Sequence, residues 1–373
     1  MMNNNPEIIA FDDKLDNNSP EIIDGIIDAP LKNEPEIIDM PEENVIISKP
    51  AEEETDPNRV SIVGMYGEDL TAKTYVTNPA IARDAEIKKM IIVLLTPDKS
   101  ALLVGHAGIG KTAIVEGLAY LIQRNQVPDA LKGYRIIKIN STSLLGKMTV
   151  NGKEEMIVGL LVDEVKKMPK TILFIDEVHT LIGGGDDGPM DLANILKPAL
   201  DRGDVKAIGA TTTQEYNIYI VKDRAFLRRF DRIEVVEPDV DTTVKILMGS
   251  IPRIEKQTGA KFKYNDYVTE RLVRAIVEAT SEFKRVYGLA AMYPDVSFSV
   301  LTQAFSNALF QNKTEVNILD VYNAIKNSKR IYPDSIVKEL AVFREKYDDI
   351  AKSDGIILPI VTIEEVQDAY ESY

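Results

Sequence analysis

Eight consecutive residues, Gly105-His106-Ala107-Gly108-Ile109-Gly110-Lys111-Thr112, carry the clearest chemical signature in the chain. The glycines let backbone N–H groups turn inward around a phosphate, with His106, Ala107 and Ile109 filling the turn between them. Lys111 is placed to reach β- and γ-phosphates, and the Thr112 hydroxyl to ligate Mg²⁺. The apolar run Ala101–Val104 precedes this loop and the amphipathic stretch Thr112–Gln123 follows it. A helix starting there presents its positive end to the anion.

Further along, Ile172-Leu173-Phe174-Ile175-Asp176-Glu177 is an apolar run ending in two carboxylates. Asp176 is placed to hold the hydration shell of the Mg²⁺ ion, and Glu177 to polarise an attacking water. Gly209-Ala210-Thr211-Thr212 closes another run. A hydroxyl at Thr212 can orient that water or touch the γ-phosphate, although a threonine pair after a strand also reads as a helix cap. Arg228 and Arg229 precede the last run. Adjacent arginines are usually a solvated face, but their fixed charge and forked donors also suit transition-state stabilisation across a subunit boundary.

Positioning these groups falls to five short runs: Ala101–Val104, Tyr134–Ile139, Thr171–Ile175, Val205–Gly209 and Arg232–Val236. Helix-length amphipathic stretches such as Thr112–Gln123, Glu154–Lys167 and Met190–Leu200 separate them. The alternation predicts an α/β fold, a parallel sheet covered on both faces. From about Asp239 helical periodicity takes over, as in Val268–Thr280 and Val300–Gln311. The expected organisation is a tail over 1–60, an α/β domain over 61–237, a helical domain over 238–332 and a partly helical extension over 333–373.

Composition narrows the chemistry. The 373 residues are 45% apolar and 28% charged, with no cysteine, so disulfides, thiol nucleophiles and thiolate metal sites are excluded. His106 and His179 are the two histidines, too few for a His-rich metal site and better read as structural. Runs such as Met90–Leu95 are too short to span a membrane, and the first residues lack a signal-peptide pattern. A cytoplasmic protein without membrane partners is expected.

The net charge of −15 is concentrated in residues 1–60, where sixteen acidic residues face four basic ones. The remainder is close to neutral, which counts against nucleic acid as a partner. That segment repeats Pro-Glu-Ile-Ile at Pro6–Ile9, Pro20–Ile23 and Pro35–Ile38, with Val45-Ile46-Ile47 as a looser copy. Its composition is that of a disordered segment. The repeats suit multivalent docking of a protein client or target, or a solubilising tail.

Taken in order, these motifs resemble the first nucleotide-binding module of Clp-type AAA+ unfoldases (ClpA, ClpB and ClpC-like). The stretches Asn78-Pro79-Ala80-Ile81-Ala82-Arg83-Asp84, Gly110–Ala119, Val127–Gly133, Asp176–Leu181, Leu196–Leu200 and Leu227–Phe230 all match the family's text. The resemblance implies a P-loop domain of five parallel strands with a small helical lid, ATP and Mg²⁺ as cofactors, and a self-assembled ring, most often hexameric. It places Ile81 and Ala82 in the adenine pocket, makes Thr212 the sensor-1 residue, and makes Arg228 and Arg229 arginine fingers for a neighbouring subunit.

Where the family carries a pore-loop aromatic, this chain has Gly146-Lys147-Met148-Thr149-Val150-Asn151-Gly152, and Val296 replaces a common lysine. The family's amino-terminal substrate domain, coiled-coil insertion and second ATPase module are expected to be absent. The implied activity is ATP hydrolysis by a ring-forming, chaperone-like protein remodeller of reduced type. A nucleotide-controlled assembly scaffold that threads nothing is the alternative, and a nucleic-acid loader a further one. Deleting residues 1–60 is expected to leave ATP turnover unchanged and to abolish client capture in a pull-down; capture that survives makes the repeats a solubility device.

Overall fold

A computed structural model describes residues 61–150, 152–182, 195, 198, 205–287 and 292–371. The acidic repeats, Asn151 of the expected pore loop and most of Met190–Leu200 lie outside the described residues. Along the chain run strands β1 (Gly67–Asp69), β2 (Ser100–Val104), β3 (Arg135–Asn140), β4 (Lys147–Val150), β5 (Lys153–Met156), β6 (Thr171–Asp176), β7 (Lys206–Thr211) and β8 (Phe230–Glu234). Strands β4 and β5 pair with each other as a hairpin, and the other six form one sheet in the order β1-β3-β6-β7-β2-β8.

The five runs expected from sequence are the five parallel strands of this sheet, each displaced by at most two residues. The sixth strand, β1, was not expected. It pairs antiparallel to the edge of β3, with Gly67 opposite Ile139. Gly-Glu-Asp has no apolar alternation to betray it, and the pairing is supplied by β3 rather than by local preference.

All five residues of β2 are buried, because a central parallel strand is covered on both faces. Alternate side chains then feed two separate cores. On one face Leu102, Val104, Ile139, Leu173 and Ile175 pack with Val158, Leu161 and Val162 of the helix Ile157–Val165. On the other, Ala101, Leu103, Ile172, Phe174 and Ile208 meet Met90 and Leu94 of the helix Asp84–Leu95 and Ile114 and Leu118 of the helix Lys111–Gln123.

Beyond β8 the chain is helical: Val240–Thr258, Asp266–Ala279, Asp295–Phe310, Ile318–Lys326, Pro333–Lys346, Asp348–Ser353 and Ile363–Glu371. Asp239 and Asn265 cap the first two by accepting the N–H groups of Thr242 (2.7 Å) and Val268 (3.0 Å), which satisfies donors that a helix start leaves over. Leu247, Leu272, Ile276, Leu301, Phe305 and Tyr322 form a third core, and Ile336, Leu340, Phe343 and Tyr347 belong to it. The segment after Pro333 is therefore packed into the same helical body as the helices before it.

Parallel pairing puts the carboxyl ends of β2, β6 and β7 side by side, which is where an open α/β sheet forms its crevice. A strap over residues 77–81 closes one side of it. Helix 111–123 approaches that strap so closely that a Cβ on Gly117 would lie 2.2 Å from Ala80 Cβ. Replacing a helical glycine by alanine ordinarily gains about 1 kcal/mol. Here neither β-carbon can rotate away, so the clash decides the sign. Gly117→Ala is expected to lower stability by about 1–3 kcal/mol, measured by urea denaturation.

Candidate nucleotide site

The loop after β2 turns on two glycines with left-handed backbone, Gly108 (φ 72°) and Gly110 (φ 97°), and helix 111–123 starts immediately after. A Cβ at Gly105 would lie 2.5 Å from the Val235 carbonyl oxygen, so this glycine allows the loop to leave the sheet against the chain beyond β8. Lys111 folds back, its Nζ donating to the Gly105 and His106 carbonyls at 2.9 Å each. Burial pushes its pKa down, against the pull of the Asp176, Glu215 and Glu177 carboxylates. A phosphate arriving in the loop offers this ammonium a better partner than two carbonyls.

Asp176 ends β6, and the Thr112 hydroxyl donates to its Oδ2 at 3.2 Å. Lys138 Nζ on the neighbouring strand lies 3.7 Å from the same oxygen. Glu177 follows in left-handed backbone (φ 53°), a conformation that costs a non-glycine residue roughly 1–2 kcal/mol. The exposed Glu177 begins the turn Val178–Leu181, where the chain leaves the sheet edge. Thr212 follows β7 and caps the next turn: its Oγ1 accepts the Glu215 N–H at 3.2 Å and donates to Glu215 Oε2 at 2.7 Å. The cap is the reading seen here, and the capping hydroxyl lines the same cavity as loop 107–112.

Ala107 to Thr112, Asp176, Glu177 and Thr212 surround one cavity of about 330 Å³. A second cavity of about 540 Å³ adjoins it, and Gly108 lines both. It lies between the strap, including Asn78, Pro79 and Ile81, and the helical body, including Ile246, Arg253 and Phe298. Ile81 packs so near Gly249 that a Cβ there would lie 2.5 Å from Ile81 Cδ1. Ala82 is exposed with left-handed backbone (φ 54°), at the turn that sends the chain into helix 84–95. Gly105 and His106 open the loop and contribute carbonyls to Lys111.

Arg228 and Arg229 are not brought to this cavity. They precede β8, whose Phe230 pairs with Ser100 while Glu234 pairs with Val104 beside the loop. At ~3.3 Å per strand residue they lie roughly 15–20 Å from the phosphate end of their own chain.

Two residues of the site escaped the sequence reading. Glu215 was legible in principle, since Thr212-Thr213-Gln214-Glu215 spells a capping box. Arg83 was not, because nothing local announces a buried arginine. Its Nη2 donates to the Ile109 carbonyl at 2.9 Å, and its Nη1 to the Val236 carbonyl at 3.2 Å and to Glu86 at 3.0 Å. It thus joins the phosphate loop to the segment leading into the helical body.

Residues 101–238 match the family described as the ATPase family associated with various cellular activities (AAA). The chain carries an AAA ATPase domain of Clp-type resemblance. It is 35% identical over 298 residues to a probable ATP-dependent Clp protease ATP-binding subunit of Chlamydia pneumoniae, covering 79% of this chain and 33% of that relative. It is 42% identical over 229 residues to the chaperone protein ClpB of Aquifex aeolicus, covering 61% of this chain and 22% of that one. Among solved structures, Saccharomyces cerevisiae Hsp104 bound to casein in an extended conformation superposes with a TM-score of 0.58 at 32% identity, over 70% of this chain and 44% of Hsp104. The chain thus spans about a third or less of these curated relatives. Nucleotide binding comes with the AAA domain, and no helix among the described residues is long and apolar enough to cross a membrane.

Arg83→Met is expected to weaken ADP binding about tenfold, or 1.4 kcal/mol, by loosening the loop carbonyl it holds. Fluorescence titration with a labelled nucleotide checks this, and an unchanged affinity would show that the loop keeps its shape without the guanidinium.

Proposed function

We propose that this protein hydrolyses ATP as a ring-forming, chaperone-like remodeller of other proteins, in a form reduced relative to its Clp-type kin. One observation carries the reading: loop 105–112, Asp176, Glu177 and Thr212 converge on a single crevice, while Arg228 and Arg229 stand at the opposite end of the sheet. Among the described residues no arginine lines the cavity that holds Lys111, Asp176 and Glu177, and a neighbouring copy would bring one. Loop amides and Lys111 hold the β- and γ-phosphates, and the strap receives the base at Ile81, with the exposed Ala82 turning the chain just beyond it. Thr112 and Asp176 offer hard oxygen donors 3.2 Å apart, a set that fits Mg²⁺ with retained waters. When bound, that ion neutralises charge between the β- and γ-phosphates. Glu177 then takes a proton from the attacking water, and Thr212 donates to the γ-phosphate.

Hsp104 is captured with casein in the structures this chain resembles, and that supports a protein client here. The tail repeats would recruit it, in a cytoplasmic ring of six subunits, the size most frequent in the family resembled. A scaffold that threads nothing is the second reading, and the hairpin β4–β5 favours it. At the pore-loop position it presents Lys147, Met148, Thr149 and Val150, with Lys147 Nζ 3.8 Å from Glu154 and no large ring to grip a chain.

Lys111→Ala is expected to abolish nucleotide binding, whereas Glu177→Gln should bind ATP and barely hydrolyse it. Arg228→Ala should lower turnover on the order of a hundredfold or more without changing affinity in the isolated subunit. Mixing Arg228→Ala with Glu177→Gln subunits creates junctions in which an intact Glu177 faces intact arginines. Activity should then partly return once light scattering shows co-assembly. No recovery in a co-assembled mixture would remove the shared site. A folded or an extended protein retained by the Glu177→Gln variant in ATP separates scaffold from remodeller.

A further inference from the structure

Glu215 does more than a helix cap requires. Its Oε2 accepts the Thr212 N–H at 3.0 Å and the Thr212 hydroxyl at 2.7 Å, and the Thr211 hydroxyl lies 3.4 Å away. From a different element, the turn after β6, His179 brings Nδ1 to 3.2 Å from the same oxygen and from Thr211 Oγ1. Nδ1 thus sits between that carboxylate and the Thr211 hydroxyl, a polar contact for both. The imidazole is largely buried and stacked on Tyr219, with ring centroids 6.0 Å apart. A capping box needs Thr212 and Glu215 alone; it needs neither the histidine nor Thr211.

The consequence concerns the single proton of the Thr212 hydroxyl. It is committed to Glu215, so Thr212 can donate to a terminal phosphate only by leaving that carboxylate. Glu215 also lines the 330 Å³ cavity with Asp176, Glu177 and Lys111, which puts three acidic groups beside one cation. A γ-phosphate entering there meets a carboxylate that must be held back. His179, which does not line that cavity, stands 3.2 Å from the carboxylate and is placed to restrain it electrostatically.

We infer that His179 and Glu215 form a positioning pair for the Thr212 hydroxyl, which lets the pocket distinguish a nucleoside triphosphate from a diphosphate. The inference rests on the nucleotide reading above. Diphosphate is held by the loop amides and Lys111, away from this pair. Triphosphate alone reaches it.

The test measures binding of ADP and ATPγS, and kcat and KM for ATP, in the full chain. His179→Ala is expected to weaken ATPγS about tenfold, through loss of the imidazole's electrostatic restraint on the carboxylate, and to leave ADP within about twofold. KM for ATP should rise more than kcat falls. His179→Asn, whose amide N–H reaches the place of Nδ1, should stay close to wild type. The double variant His179→Ala/Glu215→Gln should recover ATPγS affinity, because a neutral amide leaves no charge to restrain. Equal losses for both nucleotides, no loss at all, or no recovery in the double variant would overturn the pair. Should His179→Ala fail to fold, Glu215→Gln alone decides: a raised ATPγS-to-ADP preference supports the inference and an unchanged ratio overturns it. Lys111→Ala is the separate control, since intact binding of both nucleotides there would sink the site itself.

Discussion

Parallel pairing of β6, β7 and β2 is the constraint on which the site depends. Only parallel strands end at the same edge, and only their carboxyl ends deliver Asp176, Thr212 and the loop from Gly105 to one crevice. The pairing also buries β2 on both faces, so the loop springs from an anchored strand. The same geometry sends Arg228 and Arg229 to the other edge, because they lie at the amino end of β8. A single sheet direction thus separates the groups gathered at the crevice from Arg228 and Arg229.

Within the crevice, electrostatics is unbalanced before nucleotide arrives. Lys111 faces Asp176, Glu177 and Glu215, and each carboxylate is managed differently. Asp176 takes the Thr112 hydroxyl and stands near Lys138. Glu177 is exposed, on a strained backbone that aims it off the end of β6. Burial works to raise the pKa of Glu215, but hydrogen bonds from Thr212 and the neighbouring His179 outweigh it and hold the carboxyl below its usual range. A cavity this acidic suits a ligand that brings its own cation, which is how magnesium nucleotides travel.

The connection to the helical body is polar and specific. Arg83 spans the Ile109 and Val236 carbonyls, and Glu237 accepts Arg285 at 2.8 Å and the Tyr293 N–H at 2.7 Å. Two adjacent residues after β8 are therefore tied in opposite directions, one toward the phosphate loop and one toward the helices. The Asp295 side chain completes the contact: a Cβ on Gly108 would lie 2.7 Å from its own Cβ. Movement of the helical body relative to the sheet would be felt directly in the loop.

That loop 105–112 and residues 176 and 177 stand at one crevice was legible from sequence, because the loop follows one apolar run and the carboxylates end another, and buried strands demand apolar runs. The five parallel strands followed for the same reason, each within two residues. Tertiary structure alone decided the rest. Strand β1 forms because β3 offers an open edge, and Arg83 is buried because two carbonyls distant in sequence converge on it. The segment after Pro333 reads as a charged extension because charged residues interrupt its apolar ones. Folding gathers Ile336, Leu340, Phe343 and Tyr347 onto a core built by helices that precede them. His179 reads as an ordinary structural histidine until β6 and β7 lie side by side and its Nδ1 meets Glu215. Short-range chemistry can be read along a chain, whereas a partner supplied by another strand appears only when the chain has folded.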